Sequence, residues 1–221
     1  MELDFTALLR FQDALLTGLW MTIRLTLISI AIGCILGFLL ALARTSSRRL
    51  LARIATIYVE FFRGTPVLVQ LFWIFFCLPL ILGVDLSNMA AGVLALSLYM
   101  GAIASETFRA ALKSIGKEQY DACVALGLPE RVQVTNVVLP QAVLRATPTL
   151  LSNCISLFKE SALVSAVGVA DLMFIGQNIS MNTARPIEVL TVVALIYFVI
   201  AFPLTRAVTY IERRVLTKLA M

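Results

Sequence analysis

The sequence predicts an all-α protein that crosses a membrane five times, with its N-terminus outside and its C-terminus in the cytoplasm. Of its 221 residues, 60% are hydrophobic and only 14% are charged, and the mean hydropathy is +0.94. Soluble domains carry about 25% charged residues. The apolar residues gather in uncharged runs close to the length of a membrane-crossing helix, and the basic residues gather between those runs. These observations favour helices in a bilayer over a water-soluble core.

Four spans are predicted from runs of about 20 apolar residues, the length that a helix needs to cross the hydrocarbon layer. They cover about 17–43, 62–84, 86–108 and 187–211. One more span, the fourth in chain order, is predicted over 140–159. Arg145 lies close enough to its start for the guanidinium to reach the headgroups. The apolar residues from Ser161 to Ala184 are interrupted by Asp171 and two glycines, which indicates short helices packed inside the protein or at its outer surface.

The basic residues indicate the orientation of the spans. With five spans, fourteen of the eighteen Lys and Arg residues fall on one side, which the positive-inside rule assigns to the cytoplasm. They are Arg44, Arg48, Arg49, Arg53, Arg63, Arg109, Lys113, Lys117, Arg131, Arg145, Arg206, Arg213, Arg214 and Lys218. A count of four or six spans would scatter these clusters over both sides. Because the bases form clusters between apolar runs and not one basic face, nucleic acid is not expected as a partner despite the net charge of +5.

The sequence offers little for catalysis or metal binding. It contains no His and no G-x-S-x-G motif, so an intramembrane enzyme is disfavoured. The four cysteines are widely spaced with no CxxC pair, and they are interpreted as small apolar residues. They are Cys34, Cys77, Cys123 and Cys154. The N-terminal MELDFTALL carries acids where a signal peptide needs bases, so the first apolar segment is expected to stay in the mature protein.

The polar stretch from about 117 to 140 is predicted to form a cytoplasmic helix–turn–helix. Apolar residues recur at i, i+3 and i+4 on both sides of Gly127. Gly127 is placed to end the first helix, and Pro129 suits the first turn of the second. Such an element can lie on the lipid headgroups or can present a rigid surface to a cytoplasmic partner, and the pattern alone leaves both alternatives open.

The spacing of this loop resembles the EAA loop of bacterial ABC importer permeases. From Asp121 to Pro140 the chain reads D-A-C, three residues, G, nine residues, V-V-L-P. The family motif reads E-A-A, three residues, G, nine residues, I-x-L-P. Asp121 keeps the charge of the family's Glu, and Cys123 keeps the small size of its second Ala. The resemblance assigns ATPase docking to Asp121, Ala122, Cys123, Gly127, Leu139 and Pro140.

Other segments resemble the polar amino acid subfamily of these permeases, so the resemblance covers nearly the whole chain. Tyr58–Trp73, YVEFFRGTPVLVQLFW, is similar to the beginning of the second span, and Ala104–Leu112, ASETFRAAL, to the end of the third. Ser156–Leu172, SLFKESALVSAVGVADL, resembles the segment after the fourth span. Glu212–Arg214 resembles the usual tail.

The resemblance implies the permease subunit of an ATP-driven importer in the bacterial inner membrane. Two permease chains, identical or sister, would form the path for a polar amino acid or related solute brought by a periplasmic binding protein. Two ATPase subunits would bind ATP and Mg²⁺, and each would hold one EAA loop by its short coupling helix. This chain has no G-x-x-x-x-G-K-[ST] motif, so it is expected to bind no cofactor and to be no enzyme. The alternative, a stand-alone secondary carrier or channel, would explain the spans but not the loop.

Two pairs of charged residues have i, i+3 spacing near predicted membrane edges. Glu60 and Arg63 precede the Gly64–Pro66 run, which can break or kink a helix. They are interpreted as an ion pair that orients the helix, with a cytoplasmic gate contact as the alternative. Glu106 and Arg109 end the third span, where they are expected to pair with each other or with the EAA loop.

Lys159 and Glu160, at the predicted outer end of the fourth span, are candidates for the solute path. Ionisable residues inside a membrane are functional candidates, and a zwitterionic amino acid needs one cationic and one anionic partner. Adjacent helical residues point about 100° apart, so anchoring of the following segment is the alternative. Asp171 and Gln177 are further candidates in the same region.

Gly33 and Gly37 form a G-x-x-x-G pattern within the first span. This spacing lets two helices approach closely. We expect packing within the subunit, with a contact between two subunits as the alternative.

Overall fold

The computed structural model describes residues 6–219, in which we find helices and no strand. This result confirms the predicted all-α class. In chain order the helices are α1 (Gln12–Thr45), α2 (Arg49–Gly64), α3 (Val67–Leu82), α4 (Asn88–Lys113), α5 (Lys117–Ala125), α6 (Glu130–Glu160), α7 (Leu172–Thr183) and α8 (Pro186–Leu219). Short 3₁₀ turns cover Thr6–Phe11 and Ser161–Val167. Glu2 and Asp4, the N-terminal acids that distinguish this segment from a signal peptide, lie outside the described residues.

The described part of the chain has four helical segments that are long and apolar enough to cross a membrane. They are Leu8–Thr45, Asn88–Lys113, Glu130–Val167 and Pro186–Val215. A fifth span arises if α2 and α3 count as one broken span. These two helices are bent by 107° at the break between them. The predicted span over 62–84 thus corresponds to the end of α2, the bend and α3.

The bend between α2 and α3 follows from Pro66 and is held by one side chain. Proline has no N–H to continue a helix, and its ring clashes with the preceding turn. The Gln70 side-chain amide donates to the Phe62 carbonyl at 2.8 Å and to the Thr65 carbonyl at 3.0 Å. These two acceptors lie on the far side of the break. Gln70 therefore satisfies carbonyls that lose their helical partners at the bend.

Proline also explains two wide helical turns. The turn over Trp73–Cys77 in α3 precedes Pro79, and the turn over Gln133–Val138 in α6 precedes Pro140. Because each proline lacks a donor for the carbonyl four residues before it, the preceding turn widens to an i→i+5 pattern. The span predicted over 140–159 lies within α6, which runs on without a break from Glu130 to Glu160.

The core of the bundle is the close packing of α1 against α4. A Cβ on Gly33 would lie 2.6 Å from the Cβ of Met100, and one on Gly37 would lie 2.5 Å from the Cβ of Ala104. Any side chain at either glycine would force the helices apart. The G-x-x-x-G pattern thus serves packing within the subunit, as the sequence predicted.

Candidate functional site

Helix α5 ends in a Schellman motif at Gly127. Gly127 has a φ of +66°, a backbone conformation that favours glycine. Its N–H donates to the Val124 carbonyl at 2.9 Å, and the Leu128 N–H donates to the Cys123 carbonyl at 3.1 Å. This is the bonding pattern of a helix stopped by a left-handed residue. The predicted stop at Gly127 is therefore present, and it rests on the backbone conformation, because a Cβ there would meet nothing within 4 Å.

The second helix of the loop begins at Glu130 and continues directly into the spanning part of α6. Pro129 takes the position before the first helical residue, with a ψ of 146°, and not a place in the first turn as the sequence predicted. The extended backbone of Pro129 separates the turn at Gly127 from the first turn of α6. The Gln133 side-chain amide donates to the Leu128 carbonyl at 2.7 Å and closes this junction.

The predicted docking residues of the loop differ in exposure. Asp121, Ala122, Gly127 and Pro140 are exposed, Leu139 is half-buried and Cys123 is buried. The Cys123 side chain therefore faces the protein, which explains its small size. Two large apolar side chains, Val124 and Leu126, are 68% and 76% exposed. Leu126 was not identified from the sequence, although exposed apolar groups on a polar loop are typical of a protein contact.

Polar contacts join the loop to the ends of its neighbouring helices. The Gln141 amide donates to the Gln119 side-chain oxygen at 3.1 Å, between α6 and α5. Arg145 on α6 donates to the Ser114 carbonyl, just after α4, at 2.5 Å. Arg145 was expected to reach the headgroups, and in the structure its guanidinium binds the backbone at Ser114. These contacts thus fasten α5 to α6 and α6 to the end of α4.

Three arginines surround the carboxylate of Glu106 on α4. Arg44 Nη1 lies 2.8 Å from Glu106 Oε2, and Arg63 Nη1 lies 3.5 Å from the same oxygen. Arg109 donates to both carboxylate oxygens, and its Nε lies 3.1 Å from Oε2. We call this group the Glu106 cluster. It joins α1, α2 and α4.

The Glu106 cluster confirms one predicted ion pair and corrects the other. Glu106 and Arg109 pair as predicted. Arg63, however, pairs with Glu106 across helices, whereas Glu60 is exposed on α2. In the sequence, Arg44 indicated only the orientation of the spans. Its spacing from Glu106 is not periodic, so no local pattern could have revealed the contact.

The Glu106 cluster carries excess positive charge, since one carboxylate faces three guanidinium groups. The Arg44 side chain is 10% exposed, and its Nε finds no hydrogen-bond partner in the described part of the chain. A buried cation depends strongly on its one anionic partner. The structure therefore makes Glu106 the residue that permits Arg44 to be buried.

Glu160, at the end of α6, lies beside Tyr99 of α4. The Tyr99 hydroxyl is 3.4 Å from Glu160 Oε1, whereas Glu160 Oε2 is buried without a hydrogen-bond partner among the described residues. Lys159 is exposed, and Glu160 is half-buried. The two side chains thus have different surroundings, as their adjacent positions on a helix predict. Tyr99 was not identified from the sequence.

Asp171 is fully buried and caps α7. Its Oδ1 accepts from the Phe174 N–H at 2.9 Å, and the Tyr197 hydroxyl lies 3.5 Å from its Oδ2. The next residue, Leu172, donates its N–H to the Thr22 hydroxyl of α1 at 3.0 Å. These contacts favour a capping role for Asp171 over solute contact. Gln177 is half-buried on α7.

Burial changes the acidity of Asp171, which lies outside the candidate spans. The low polarity around the carboxyl raises its pKa from 3.8 to about 6, although the hydrogen bonds from the α7 backbone act in the opposite direction. The neutral form is therefore favoured in mildly acidic solution.

The fold and the loop are those of a membrane transport permease. The family described as the binding-protein-dependent transport system inner membrane component matches residues 14–217, and the chain belongs to this family. Membership confirms the predicted class and the bacterial inner membrane as its location. It also makes the chain a transport subunit and not an enzyme, and it implies ABC transporter partners, an ATPase and a binding protein.

Curated relatives match almost the full chain. The arginine transport system permease protein ArtQ of Bacillus subtilis (strain 168) is 37% identical over 214 residues, which are 97% of this chain and 98% of the relative. The L-cystine transport system permease protein TcyB of the same organism is 39% identical over 205 residues, 92% of this chain and 87% of the relative. The putative glutamine transport system permease protein GlnP of Rickettsia felis (strain ATCC VR-1525 / URRWXCal2) is 34% identical over 215 residues, 96% of this chain and 99% of the relative.

Solved structures of transporters share the fold. A chain from the crystal structure of an amino acid ABC transporter with histidines superposes with a TM-score of 0.91 at 33% identity, covering 97% of this chain and all of that one. A chain from an inward-facing MetNI methionine ABC transporter superposes with a TM-score of 0.75 at 23% identity, covering 93% of this chain and 98% of that one. The second likeness concerns the fold alone.

Proposed function

We propose that this chain forms the membrane path of an ABC importer for a polar amino acid or a related small solute. It pairs with a second permease chain, identical or sister, and receives solute from a periplasmic binding protein. Two ATPase subunits bind ATP and Mg²⁺ and drive alternating access. The proposal is supported by family membership and by relatives named for the transport of arginine, glutamine and cystine.

The observation that carries the proposal is the rigid loop built from α5 and the start of α6. A glycine-stopped helix and a continuous α6 leave few flexible bonds between the exposed residues around Asp121 and the membrane-spanning part of α6. A displacement imposed on α5 by a closing ATPase dimer is therefore transmitted to α6. The exposed Val124 and Leu126 supply apolar area for this docking contact.

The Glu106 cluster keeps α1, α2 and α4 together while α6 moves. Two of its three ion pairs cross helix boundaries, from α4 to α1 and from α4 to α2, so the three helices resist separation at this end of the bundle. We assign it a structural role, and a gate formed with the second permease chain is the alternative for the half-exposed Arg63.

Glu160 supplies the anionic partner for the solute's ammonium group. Its Oε2 has no hydrogen-bond partner among the described residues, and a buried carboxylate oxygen without a donor favours an incoming cation. Lys159, exposed beside it, supplies the positive charge for the solute carboxylate. Gln177 is a weaker candidate for the same path, and Asp171 is used as a cap.

Reconstitution tests the proposed function. The tagged chain is purified from native membranes with its co-purifying ATPase, reconstituted in proteoliposomes and supplied with binding protein and labelled arginine, glutamine or cystine. We expect uptake that requires both ATP and binding protein. Uptake by the isolated chain at the same rate, without ATP, would instead identify a stand-alone carrier or channel.

A further inference from the structure

Helix α2 presents an exposed surface that is not explained by packing within the chain. Ala55 and Val59 are buried against the bundle. On another face, four large apolar side chains with i, i+4, i+7 and i+11 spacing are 58–73% exposed. They are Leu50, Ile54, Ile57 and Phe61. We call them the α2 apolar stripe.

Uncompensated positive charge lies beside this stripe. Arg48, Arg49 and Arg53 are exposed, and in the described structure their side chains form no ion pair. The sequence from Arg48 to Val59 contains these three bases and no acid. Glu60, seven residues after Arg53, lies about two helical turns, or about 10 Å, further along the axis of α2. The first half of α2 therefore combines three free cations with exposed apolar side chains.

The bend places this half of α2 near a membrane surface. Because α2 and α3 are bent by 107°, both cannot follow the membrane normal. The chain from Val67 to Val84 has no charged residue, so α3 is the part suited to the hydrocarbon. The first half of α2 then belongs where arginines reach headgroups, directly after the end of α1.

We propose that Arg48, Arg49 and Arg53 bind an anionic phospholipid of the adjacent leaflet, whose acyl chains cover the α2 apolar stripe. A guanidinium pairs with a phosphate through two parallel hydrogen bonds. The occupant must satisfy both chemistries at once. An acidic soluble protein would neutralise the arginines but would leave Leu50 and Ile54 facing water, whereas a phospholipid places charge and apolar chain side by side.

Native mass spectrometry of the purified full chain tests this site. The chain in detergent is titrated with phosphatidylglycerol or with phosphatidylcholine of the same acyl chains. We expect preferential retention of phosphatidylglycerol by the unmodified chain. In R49Q/R53Q this preference should fall by about fivefold for each arginine removed, because a basic side chain at an anionic surface contributes about 1 kcal/mol.

Two control variants separate a site from general charge. K113Q/K117Q removes the same charge from exposed positions near the end of α4 and should leave the preference intact. E60Q removes the one acid of α2 and should preserve or increase the preference for phosphatidylglycerol. Should the unmodified chain retain both lipids equally, or should K113Q/K117Q lose as much preference as R49Q/R53Q, the lipid site is refuted.

A salt titration of the unmodified chain provides evidence independent of variant folding. Raising NaCl to about 0.5 M, where the screening length falls well below ~8 Å, should reduce phosphatidylglycerol retention and leave phosphatidylcholine unchanged. If R49Q/R53Q keeps the lipid preference but loses its co-purifying ATPase, the surface is a protein contact and the proposal is wrong. Failure of the lipid site would leave ATP-dependent uptake, and thus the proposed function, unaffected.

Discussion

Arg44, at the end of α1, donates a hydrogen bond of 2.8 Å from Nη1 to Glu106 Oε2 on α4. Arg63 and Arg109 use the same carboxylate. One acid thus pairs with three bases and joins three helices. Its removal should therefore cost more than the loss of an exposed ion pair, which contributes up to about 1 kcal/mol.

We expect Glu106→Gln to lower the apparent melting temperature of the purified chain by about 4–8 °C. The substitution leaves Arg44 buried beside two other cations, at a cost of about 2 kcal/mol, less than for a fully buried pair because Glu106 is 24% exposed. Glu60→Gln is the matched control, since Glu60 is exposed on α2. A loss of equal size in both variants would show that the Glu106 cluster contributes no special stability.

Gly127→Pro should abolish the stimulation of the partner ATPase by solute-loaded binding protein while the chain still inserts in the membrane. Proline cannot adopt a φ of +66°, and it lacks the N–H that bonds to Val124. Gly83→Pro is a close control, because Gly83 has a φ of +64° and donates to the Pro79 carbonyl at 2.8 Å, in the turn between α3 and α4. If both variants lose stimulation equally, the loop after α5 has no special part in coupling.

Local sequence patterns predicted the features that depend on a few neighbouring residues. The stop at Gly127 follows from one glycine after a helical repeat, and the short helices after Glu160 follow from the glycines and Asp171 that interrupt an apolar run. The loop motif was recognised because its spacing is fixed along the chain. In each case the physical cause lies within one or two helical turns.

Contacts between helices could not be predicted in this way. The pairing of Arg63 with Glu106 in place of Glu60 depends on the angle at which α2 crosses α4, which no local spacing records. The Gly64–Pro66 run indicated a kink, but the size of the bend depends on Gln70 and on packing across the break. Tyr99 beside Glu160 was missed for the same reason.

Asp171→Asn should flatten the dependence of thermal stability on pH. In the folded chain the pKa of Asp171 is raised from 3.8 to about 6, so the folded state favours the protonated carboxyl. This contribution, at most about 3 kcal/mol, is complete below pH ~3.8 and is lost as the pH rises through about 6. The melting temperature of the unmodified chain should fall across this window.

The amide in Asp171→Asn can still cap α7 without titrating, so its melting temperature should change little over the same window. Asp85→Asn, at an exposed acid between α3 and α4, should retain the slope of the unmodified chain. An unchanged slope in Asp171→Asn would mean that another group causes the dependence.

Glu160→Gln should raise the solute concentration needed for half-maximal uptake by about 10- to 100-fold. A hydrogen bond to a charged group contributes about 1.5–3 kcal/mol, and the amide cannot offer a negative charge to the solute's ammonium. Tyr99→Phe should have a smaller effect, because it removes a hydroxyl 3.4 Å from Glu160 and leaves the Glu160 carboxylate in place.

ATP-dependent uptake in proteoliposomes measures the effect of both substitutions. Glu212→Gln, at an exposed acid of α8, is the control. Because the proposed role of Glu160 is solute contact and not ATPase docking, basal ATPase activity should stay constant in Glu160→Gln. Its loss would place Glu160 in the coupling path instead.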